Sequence, residues 1–575
     1  MAETTSSFIQ VRDVLVIGAG PSGLAVASSK WYLGVIVFLL YGFKKASLLF
    51  WVKIVSRSSR GPRLCEPLPA ANFTDDEHRR FHWIKQHRAA KANKKNHKNG
   101  AVNPHPVSSP PTTTPELDLL ALDAFGTSWM QRWQGMFKTF DISHLRSPMF
   151  FHVDPAERDA LLSYAYANGR DDELRELHDC VGKELSKYQR KKRERMGRQP
   201  QNIPTIDERD RKDYYVPSTP LFFSHCECVA DRYQLNDDMI SQEQVEDICY
   251  DYVREFSDEQ KIFSVKTNKG CHYGKIVVLA IGGNPPRIPS PLTTEEMEGA
   301  THAMHIKTFP PSYVQQRIAA KVETNVLVVG GGLTSAQIAD LAIRRGVTNV
   351  WLIMRGPLKI KHFDIGLEWV GKFRNIEHAQ FWNSESIEER YEKVMSARNG
   401  GSITPYYKKI VETHISAGRL SMLLHTTISE KKWDPVSKTW TVSLKGERQD
   451  LPPIDHIYYA TGVETDFQSL PCLQSLCRDY PVENCGGFPC ITEKMTWRDD
   501  VPLFVAGRFA ALQLGPGAHN LIGARIGADR IAWSIQEMLG TEEGGDRDNW
   551  TQDKFNYLTG RGSRFDALES ISVAT

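Results

Sequence analysis

Two glycine-rich segments, more than 300 residues apart, have the residue types and spacing needed to bind phosphate groups. The first reads DVLVIGAGPSGLAVASS over residues 13–29 and contains the pattern G-x-G-x-x-G. In this pattern one glycine permits a tight turn, one lets a pyrophosphate approach the backbone, and one lets helix and strand pack closely. The start of the following helix offers free N–H groups and a partial positive charge. The segment predicts a dinucleotide site, the alternative being a glycine turn in an unrelated α/β protein; its turn residues are Gly18, Gly20, Pro21, Ser22 and Gly23.

The second segment, NVLVVGGGLTSAQIADLAI over residues 325–343, repeats this design. Its turn residues are Gly330, Gly332, Leu333, Thr334 and Ser335, with Ser335 at the third small position. The next predicted strand, VWLIMR, ends on Arg355, where an NAD site would place an acid for the ribose 2′-hydroxyl. An arginine can instead pair with a 2′-phosphate, which favours NADPH, the alternative being a solvated strand end. Two sites imply two dinucleotides, with hydride passing between them.

Short apolar strands must position both turns. Val14 to Ile17 and Val326 to Val329 are β-branched runs suited to buried parallel strands. A second strand ending in an acid is expected about 20 residues after the first turn, but none occurs there. The displaced strand is Leu119 to Leu122, and Asp123 at its end is the predicted ribose ligand.

Residues 30–62, KWYLGVIVFLLYGFKKASLLFWVKIVSRSSRGP, separate the first turn from this strand. The apolar run 31–43 is shorter than the roughly 20 residues that a membrane span needs. We interpret 30–62 as a translated intron or a lineage-specific insertion. A membrane-surface hairpin is the alternative, because Lys and Arg flank the apolar runs. Contact with a membrane is therefore expected only through residues 31–52.

Composition narrows the class of protein. The chain has 575 residues, 41% of them hydrophobic, which is enough for two or three domains. A formal net charge of +2 argues against a general nucleic-acid binder. The basic runs 79–98 and 187–195 are interpreted as solvated loops or helices, with an anionic partner or a nuclear signal as alternatives.

Ten cysteines lack zinc-site spacing, so we expect free thiols and no metal. Without a secretory signal at the N-terminus, a cytoplasmic enzyme is expected, membrane-associated if 30–62 is expressed.

Further motifs resemble those of two-dinucleotide flavoproteins, especially the flavin-containing and the ornithine or lysine N-hydroxylating monooxygenases. KIVVLAIGGNPPRIP (275–289) resembles the strand and turn by which these enzymes leave the first FAD segment, and HIYYATGVETDF (456–467) their Ala-Thr-Gly motif. VPLFVAGRFAALQLGPGAHNLIGARIGADRIAWSI (501–535) resembles their returning FAD strand and helix. GTSWMQRWQGMFKTFDISHLRSPMFF (126–151) resembles the stretch beside the isoalloxazine. The resemblance covers residues 10–30 and most of 117–540.

The resemblance implies the remaining site residues. Near the FAD it places Trp129, Arg132, Ser147, Met149, Val245, Gly282, Gly507, Gly517 and Asn520. For the NADPH side it adds Thr461 and Gly462. Core packing is the alternative for the tryptophans. The family often has an Asp after the strand glycine, where this chain has Arg508, and His302 is interpreted as a linker histidine rather than a functional one.

The implied fold is α/β, with a doubly wound, Rossmann-like FAD domain and an inserted Rossmann-like NADPH domain. The predicted divisions are 1–29 (first βα unit), 30–62 (insertion), 63–116 (helix end and loop), 117–300 (FAD domain), 301–465 (NADPH domain), 466–545 (FAD return) and 546–575 (tail). The implied function is an NADPH-consuming oxidoreductase, a monooxygenase that uses O₂ and a flavin hydroperoxide on a small nucleophilic substrate. A reductase or oxidase without oxygenation, or a non-catalytic regulatory protein, are the alternatives. The sequence identifies no catalytic side chain and no oligomeric state.

Overall fold

The computed structural model describes residues 10–29, 117–155, 158–178, 180, 208–282, 285–371, 374–446 and 451–539. Their strands are β1 Val11–Ile17, β2 Leu119–Asp123, β3 Leu174–Arg175, β4 Val216–Pro217, β5 Ile240–Gln242, β6 Val245–Val253, β7 Ser257–Thr267, β8 Cys271–Leu279, β9 Ala300–His302, β10 Asn325–Val329, β11 Asn349–Ile353, β12 Leu420–Leu423, β13 Thr427–Asp434, β14 Thr439–Lys445, β15 His456–Tyr459, β16 Asn484–Cys485, β17 Phe488–Pro489, β18 Thr496–Arg498 and β19 Val501–Val505. The predicted insertion 30–62, the loop 63–116, the basic run 187–195 and the tail 546–575 lie outside the described residues.

Helices alternate with these strands along the chain. They are α1 at 21–29, α2 Gln131–Thr139, α3 Ala160–Ala167, α4 Thr219–Arg232, α5 Glu296–Gly299, α6 Ser312–Ala319, α7 Leu333–Arg344, α8 Arg374–Trp382, α9 Ile387–Arg398, α10 Pro405–Ser416, α11 Gln474–Asp479, α12 Ala511–Leu514 and α13 Leu521–Leu539. Within the part of the chain that the structure describes, no helix has the length and apolar character needed to cross a membrane.

The first sheet joins the beginning of the chain to its end. Its main path runs β18-β19-β8-β1-β2-β5, and β6 and β7 extend it antiparallel from β8. The central strand β1 pairs in parallel with both β2 and β8, while β19 pairs in parallel with β8. Four consecutive residues from Val14 to Ile17 are buried because parallel strands in a covered sheet are shielded on both faces.

The second sheet is built entirely from residues between β8 and β18. Its order is β12-β11-β10-β15-β9, and all four of its pairings are parallel. The chain thus leaves the first sheet, completes a second one, and returns to pair β19 with β8. Two sheets whose central strands are parallel, each with a glycine-rich strand–helix connection at its centre, confirm the predicted α/β class with an inserted second unit.

One stretch of the inserted chain packs with the first sheet rather than the second. Phe363, Trp369, Phe381 and Val394 are buried in the hydrophobic core that also contains Leu15 of β1. Helices α8 and α9 therefore join the core of the first sheet. The predicted domain boundaries remain a prediction, but this packing brings the region around 363–398 close to the first sheet.

Candidate functional site

The first glycine-rich turn connects β1 to α1. Gly18 has a φ of 107°, and a Cβ there would lie 2.8 Å from the carbonyl oxygen of Ala280. A Cβ on Gly23 would collide with the carbonyl oxygen of Gly18, so Gly23 lets α1 pack on the turn. A Cβ on Gly20 would meet no atom within 4 Å, so the backbone there borders open space. The turn has the shape that the sequence predicts for a pyrophosphate site.

Asp123 ends β2 beside this turn. Its Oδ2 accepts a hydrogen bond from the backbone N–H of Ala19 at 2.8 Å, and its Oδ1 accepts one from Phe125 at 2.8 Å. Each carboxylate oxygen has a second lone pair available for a ribose hydroxyl. The displaced strand therefore places the predicted acid beside the first turn.

Residues 129–132 close over the same turn. The backbone N–H of Met130 donates to the carbonyl of Ala19 at 2.8 Å. The Trp129 ring lies 3.6 Å from the position of a Cβ on Gly23, and its Nε1–H donates to the carbonyl of Leu235 at 3.1 Å. Trp129 thus packs against the turn, and its polar atom is already satisfied by protein.

Arg132 lies on the outer side of this region. Its guanidinium stacks on the Phe125 ring, 3.8 Å from the centroid. Burial lowers the pKa of Arg132, and the nearby Asp123 carboxylate raises it in part. Arg132 therefore adds positive charge beside the predicted ribose acid.

The LRSP segment (145–148) approaches the second half of the molecule. Met149 is fully buried, and its N–H donates to the carbonyls of Asp213 and Tyr215. Ser147 beside it is half-buried. Arg146, which no sequence motif singles out, donates to four backbone carbonyls and one hydroxyl at 2.6–3.3 Å, those of Lys361, His362, Phe363 and Ser402. We call this set of contacts the Arg146 clamp.

Val245, the predicted adenine neighbour, begins β6 and pairs with Thr267. The preceding turn is fixed by the buried Glu243, whose carboxylate accepts hydrogen bonds from Ser241, Thr267 and His272 at 2.6, 2.6 and 2.8 Å. Burial alone would raise the pKa of Glu243, but the hydrogen bonds outweigh it and lower this pKa to about 2. The carboxylate is therefore an ionised structural anchor for the turn.

The returning strand β19 leads back to the first turn. Gly507 has a φ of 70°, and a Cβ there would lie 3.0 Å from Ser22 Oγ. Gly517 is buried, and Asn520 Oδ1 accepts the N–H of Ile522 at 3.2 Å at the start of α13. Gly282, by contrast, lies exposed beyond β8. Gly507 is thus the predicted residue of this segment with a direct neighbour in the first turn.

The second turn, at β10–α7, repeats this geometry. Gly330 has a φ of 150°, and a Cβ there would collide with the carbonyl oxygen of Ala460. Ser335 is buried and donates from Oγ to the carbonyl of Gly332 at 2.6 Å, while Leu333 and Thr334 are half-buried at the helix start. A glycine outside the motif completes the turn, because a Cβ on Gly401 would lie 3.0 Å from the Cα of Gly332.

Arg355 is exposed beyond the carboxyl end of β11. The sequence places the strand end at Arg355, but the strand ends at Ile353, so that prediction was two residues too long. The Arg355 side chain therefore lies on the segment that follows β11, outside the hydrogen-bonded strand pairing. An exposed guanidinium after the second strand is compatible with a 2′-phosphate and with a solvated strand end alike.

The Ala-Thr-Gly turn follows β15. Gly462 has a φ of 80°, and its carbonyl accepts hydrogen bonds from His302 Nε2 at 2.9 Å and from the N–H of Arg287 at 3.0 Å. Thr461 Oγ1 donates to the carbonyl of Arg287. His302 Nδ1 accepts the N–H of Met304, so Nε2 carries the proton, and burial lowers the pKa of His302. His302 is therefore a neutral residue that positions this turn.

A group of charged side chains joins the segments that approach the two turns. Arg398 forms an ion pair with Asp364 at 3.0 Å and donates to the carbonyl of Pro516 at 3.3 Å. Asn520 Nδ2 donates to Asp364 at 3.4 Å. We call Arg146, Asp364, Arg398, Arg508 and His519 the arginine cluster.

Arg508 and His519 each have one buried nitrogen that finds no hydrogen-bond partner in the described part of the chain. Arg508 Nη1 is buried without a hydrogen-bond partner among the described residues, and burial together with Arg398 lowers the pKa of Arg508 to about 10. Burial, then Arg398 and Arg508, lower the pKa of His519 well below its usual range. His519 Nδ1 also lacks a partner within the described ranges. Because His519 is neutral, the charged groups of the arginine cluster are three guanidinium groups and one carboxylate.

Comparison with known proteins finds a family model that matches part of the chain. Residues 218–464 match the model of the L-lysine 6-monooxygenase/L-ornithine 5-monooxygenase family. This region contains β6–β8 of the first sheet, the whole second sheet and the Ala-Thr-Gly turn. No curated protein sequence matches the chain.

Solved structures show the same fold. The ornithine N-hydroxylase of Kutzneria sp. 744, solved with reduced FAD, NADP⁺ and L-ornithine, is 14% identical, with a TM-score of 0.56 over 92% of this chain and 100% of that one. The reduced ornithine hydroxylase of Pseudomonas aeruginosa is 15% identical, with a TM-score of 0.55 over 92% and 100%. The FAD-bound cadaverine monooxygenase of Erwinia amylovora is 14% identical, with a TM-score of 0.53 over 92% and 95%. The resemblance to the ornithine and lysine N-hydroxylating monooxygenases is confirmed. The FAD- and NADPH-dependent monooxygenase class that this resemblance implies agrees with these matches.

Proposed function

From the match of residues 218–464 to the lysine and ornithine monooxygenase family, we propose that this chain is an FAD- and NADPH-dependent monooxygenase that hydroxylates the nitrogen of a small amine. The amine nitrogen gains one oxygen atom of O₂, and the other leaves as water. NADPH and one proton supply the two electrons and the hydrogen that this balance requires. When bound, FAD supplies the redox chemistry and NADPH the hydride.

The observation that carries the proposal is the convergence of both glycine turns on one group of residues. Gly507 approaches the first turn at Ser22, and Arg508 follows it in the chain. Gly401 approaches the second turn at Gly332, and Arg398 precedes it by three residues. Arg398 donates a hydrogen bond to the carbonyl of Pro516, eight residues after Arg508, so the segments that approach the two turns are in contact. A reaction that needs two nucleotides and a third reactant requires such an arrangement.

The described residues fit the two cofactors. The open backbone at Gly20 and the start of α1 suit the FAD pyrophosphate, and Asp123 suits its ribose. The start of α7 and the exposed Arg355 suit the phosphates of NADPH. The Arg146 clamp joins the first half of the chain to residues 361–363 and 402, which steadies one site relative to the other. The protein's contribution is to position the reactants and to exclude water.

The experiment is a stoichiometry assay on the purified holoenzyme. NADPH oxidation, O₂ consumption, hydrogen peroxide and hydroxylamine product are measured together with a panel of primary amines. We expect one hydroxylamine per NADPH with an accepted amine, and little peroxide. Peroxide equal to NADPH with every amine would instead identify an oxidase, and a protein that takes up no FAD would identify a non-catalytic relative.

A further inference from the structure

Arg146 holds two separate stretches of backbone at once. Its Nε donates to the carbonyl of His362 at 3.1 Å, and its Nη2 donates to the carbonyls of Lys361 and Phe363 at 2.9 and 2.6 Å. Nη1 and Nη2 also donate to the carbonyl and the hydroxyl of Ser402 at 3.3 and 2.8 Å. Because the guanidinium group is planar and rigid, these hydrogen bonds fix both stretches in one orientation relative to Arg146.

The segment that contains Arg146 is itself fixed to the first sheet's core. The N–H of Leu145 donates to the carbonyl of Pro217 at 3.1 Å, and the N–H of Met149 donates to the carbonyl of Tyr215 at 2.9 Å. Met149 is fully buried in that core. A displacement of Arg146 relative to the first sheet would therefore disturb tightly packed residues, which makes this segment a rigid support.

The residues that the Arg146 clamp holds lie where the two cores meet. Phe363 is buried in the core of the first sheet, whereas Ile403, the residue after Ser402, is buried in the core of the second. The N–H of Lys361 donates to the carbonyl of Ile403 at 2.9 Å, and the N–H of Ile403 donates to the carbonyl of Lys359 at 2.9 Å. The clamp thus ties a buried residue of each core to the same guanidinium group.

One residue separates the clamp from the second glycine turn. Gly401 precedes Ser402, and a Cβ on it would lie 3.0 Å from the Cα of Gly332. Gly332 is the N-cap of α7, whose start suits the phosphates of NADPH. A shift of Ser402 would therefore be transmitted to the second turn through direct backbone contact.

Hydride transfer between two dinucleotides depends on how their rings meet. Each glycine turn fixes the phosphates of one dinucleotide, so the relative position of the two turns determines the distance between the reacting rings. A misplacement of about 1 Å can cost on the order of 100-fold in rate. A residue that fixes the second turn relative to the first sheet therefore acts on this step in particular.

We propose that Arg146 is a positioning residue for flavin reduction, which holds the second glycine turn at the separation from the first that hydride transfer requires. This inference rests on the part of the proposed function in which NADPH reduces FAD. Each guanidinium nitrogen of Arg146 already donates to a protein oxygen, so the residue acts through the backbone that it holds.

The test compares three variants of the purified, FAD-loaded protein. Arg146→Ala removes the clamp, and Arg146→Lys keeps the charge but loses the planar fork. Arg419→Ala is the matched control, because Arg419 donates to the carbonyls of Val347 and Ile343 at 2.7 and 3.4 Å, both beside α7. Stopped-flow absorbance measures flavin reduction at saturating NADPH and, separately, the reaction of dithionite-reduced flavin with O₂. Calorimetry measures the Kd for NADP⁺, and amide hydrogen exchange measures the opening of residues 401–403 without NADPH.

Arg146→Ala is expected to slow flavin reduction on the order of 10- to 100-fold. The reaction with O₂ and the Kd for NADP⁺ should change by less than about threefold, because each nucleotide site stays intact by itself. Amide exchange over residues 401–403 should become faster. Millimolar guanidinium ion should restore part of the rate to Arg146→Ala, and Arg146→Lys should reduce its flavin at an intermediate rate. Arg419→Ala should reduce its flavin at the wild-type rate.

Three results would overturn the inference: an unchanged rate of flavin reduction in Arg146→Ala, an equal slowing in Arg419→Ala, or an equal slowing of the reaction with O₂. If Arg146→Ala retains no FAD, the same measurements on Arg146→Lys decide. Failure of the proposed function is distinct, because the wild type would then bind no FAD or form no hydroxylamine from any amine. A wild type that reduces its flavin with NADPH but releases only peroxide would refute the hydroxylation alone, and the comparison of variants would still decide the role of Arg146.

Discussion

The Asp123 carboxylate accepts a hydrogen bond from the backbone N–H of Ala19 at 2.8 Å, although 104 positions separate the two residues in the sequence. This contact joins the end of β2 to the first glycine turn. It depends on the parallel pairing of β1 with β2, in which Ile17 is opposite Leu122. The long stretch of chain between β1 and β2 therefore does not alter the geometry of this nucleotide site.

Replacing Asp123 by Asn should weaken FAD binding. The amide has one acceptor oxygen, so either Ala19 or Phe125 would meet an NH₂ group in place of an acceptor. Loss of one such hydrogen bond and of the charge should raise the Kd for FAD about 10- to 100-fold, or about 1.4–2.7 kcal/mol. Flavin fluorescence titration of the apoprotein measures this Kd. Asp118→Asn, which removes the partner of Arg12, is the control, and equal Kd values for the two variants would contradict the assignment of Asp123.

Replacing Gly401 by Ala should weaken NADPH binding without affecting FAD. The new Cβ would lie 3.0 Å from the Cα and 3.1 Å from the N of Gly332, so the second turn would have to shift. We expect the KM for NADPH to rise roughly 10-fold, because the shift alters N–H groups at the start of α7. Steady-state kinetics measures this rise. Gly270→Ala is the control, since its Cβ would meet no atom within 4 Å; an unchanged KM for Gly401→Ala would show that the turn tolerates the contact.

Replacing Arg355 by Gln should reduce the preference for NADPH over NADH. If the exposed guanidinium pairs with the 2′-phosphate, the KM for NADPH should rise about 10-fold or more, while the KM for NADH stays constant. The ratio of kcat/KM for the two nucleotides measures this directly. Arg345→Gln, at an exposed arginine after α7, is the control. Parallel changes with both nucleotides would show that Arg355 is only a solvated residue beyond the strand.

Stability should fall on mild acidification. Burial lowers the pKa of three histidines, to about 4 for His225 and His378 and about 3 for His456. A histidine whose folded-state pKa is depressed contributes its stability fully above the unfolded value of about 6.5 and loses it as the pH falls. The free energy of unfolding should therefore drop between about pH 6.5 and 4, by up to about 1.4 kcal/mol per pH unit for each histidine.

His378→Leu isolates one of these contributions. The His378 ring lies near the rings of Trp369 and Trp382, and its buried Nδ1 has no hydrogen-bond partner among the described residues, so an apolar side chain is tolerable there. Denaturant midpoints measured from pH 7.5 to 4.5 should fall less steeply for the variant than for the wild type. Parallel curves would show that His378 does not contribute to the acid sensitivity.

Deleting residues 30–62 should preserve or increase FAD occupancy. Helix α1 buries Leu24, Ala25 and Ala27 before Ser29, so its described packing does not require the segment that follows. The ratio of flavin to protein absorbance in purified protein measures occupancy. A deletion variant that loses FAD would contradict the interpretation as an insertion. Transcript reads that run continuously across 30–62 would contradict the intron hypothesis in particular.

The strands and turns could be predicted because their signals are local. The apolar runs before Gly18 and Gly330 required buried strands, and the glycine spacing required turns that other residues would block. Asp123 could be found across the insertion because an apolar run ending in an acid has few other interpretations. The end of β11 was misplaced because Met354 is also apolar and buried, although it lies outside the ladder.

The arginine cluster could not be predicted, since its members come from separate parts of the chain. Nothing in the sequence near Arg146 indicates that it clamps residues 361–363 and 402, more than 200 positions away. The packing of α8 and α9 on the first core, which brings Arg398 to Arg508, depends on tertiary contacts alone. The paired glycines Gly400 and Gly401 were the one local sign of a close backbone approach in this region.

The central claim is that one molecule binds FAD at the first turn and receives hydride from a nucleotide at the second. Anaerobic titration of the purified, FAD-loaded protein with NADPH, followed at the flavin absorbance band, tests it most directly. We predict complete bleaching of the flavin at one equivalent of NADPH and much slower bleaching with NADH. A protein that retains no flavin, or whose flavin NADPH does not reduce, would contradict the claim.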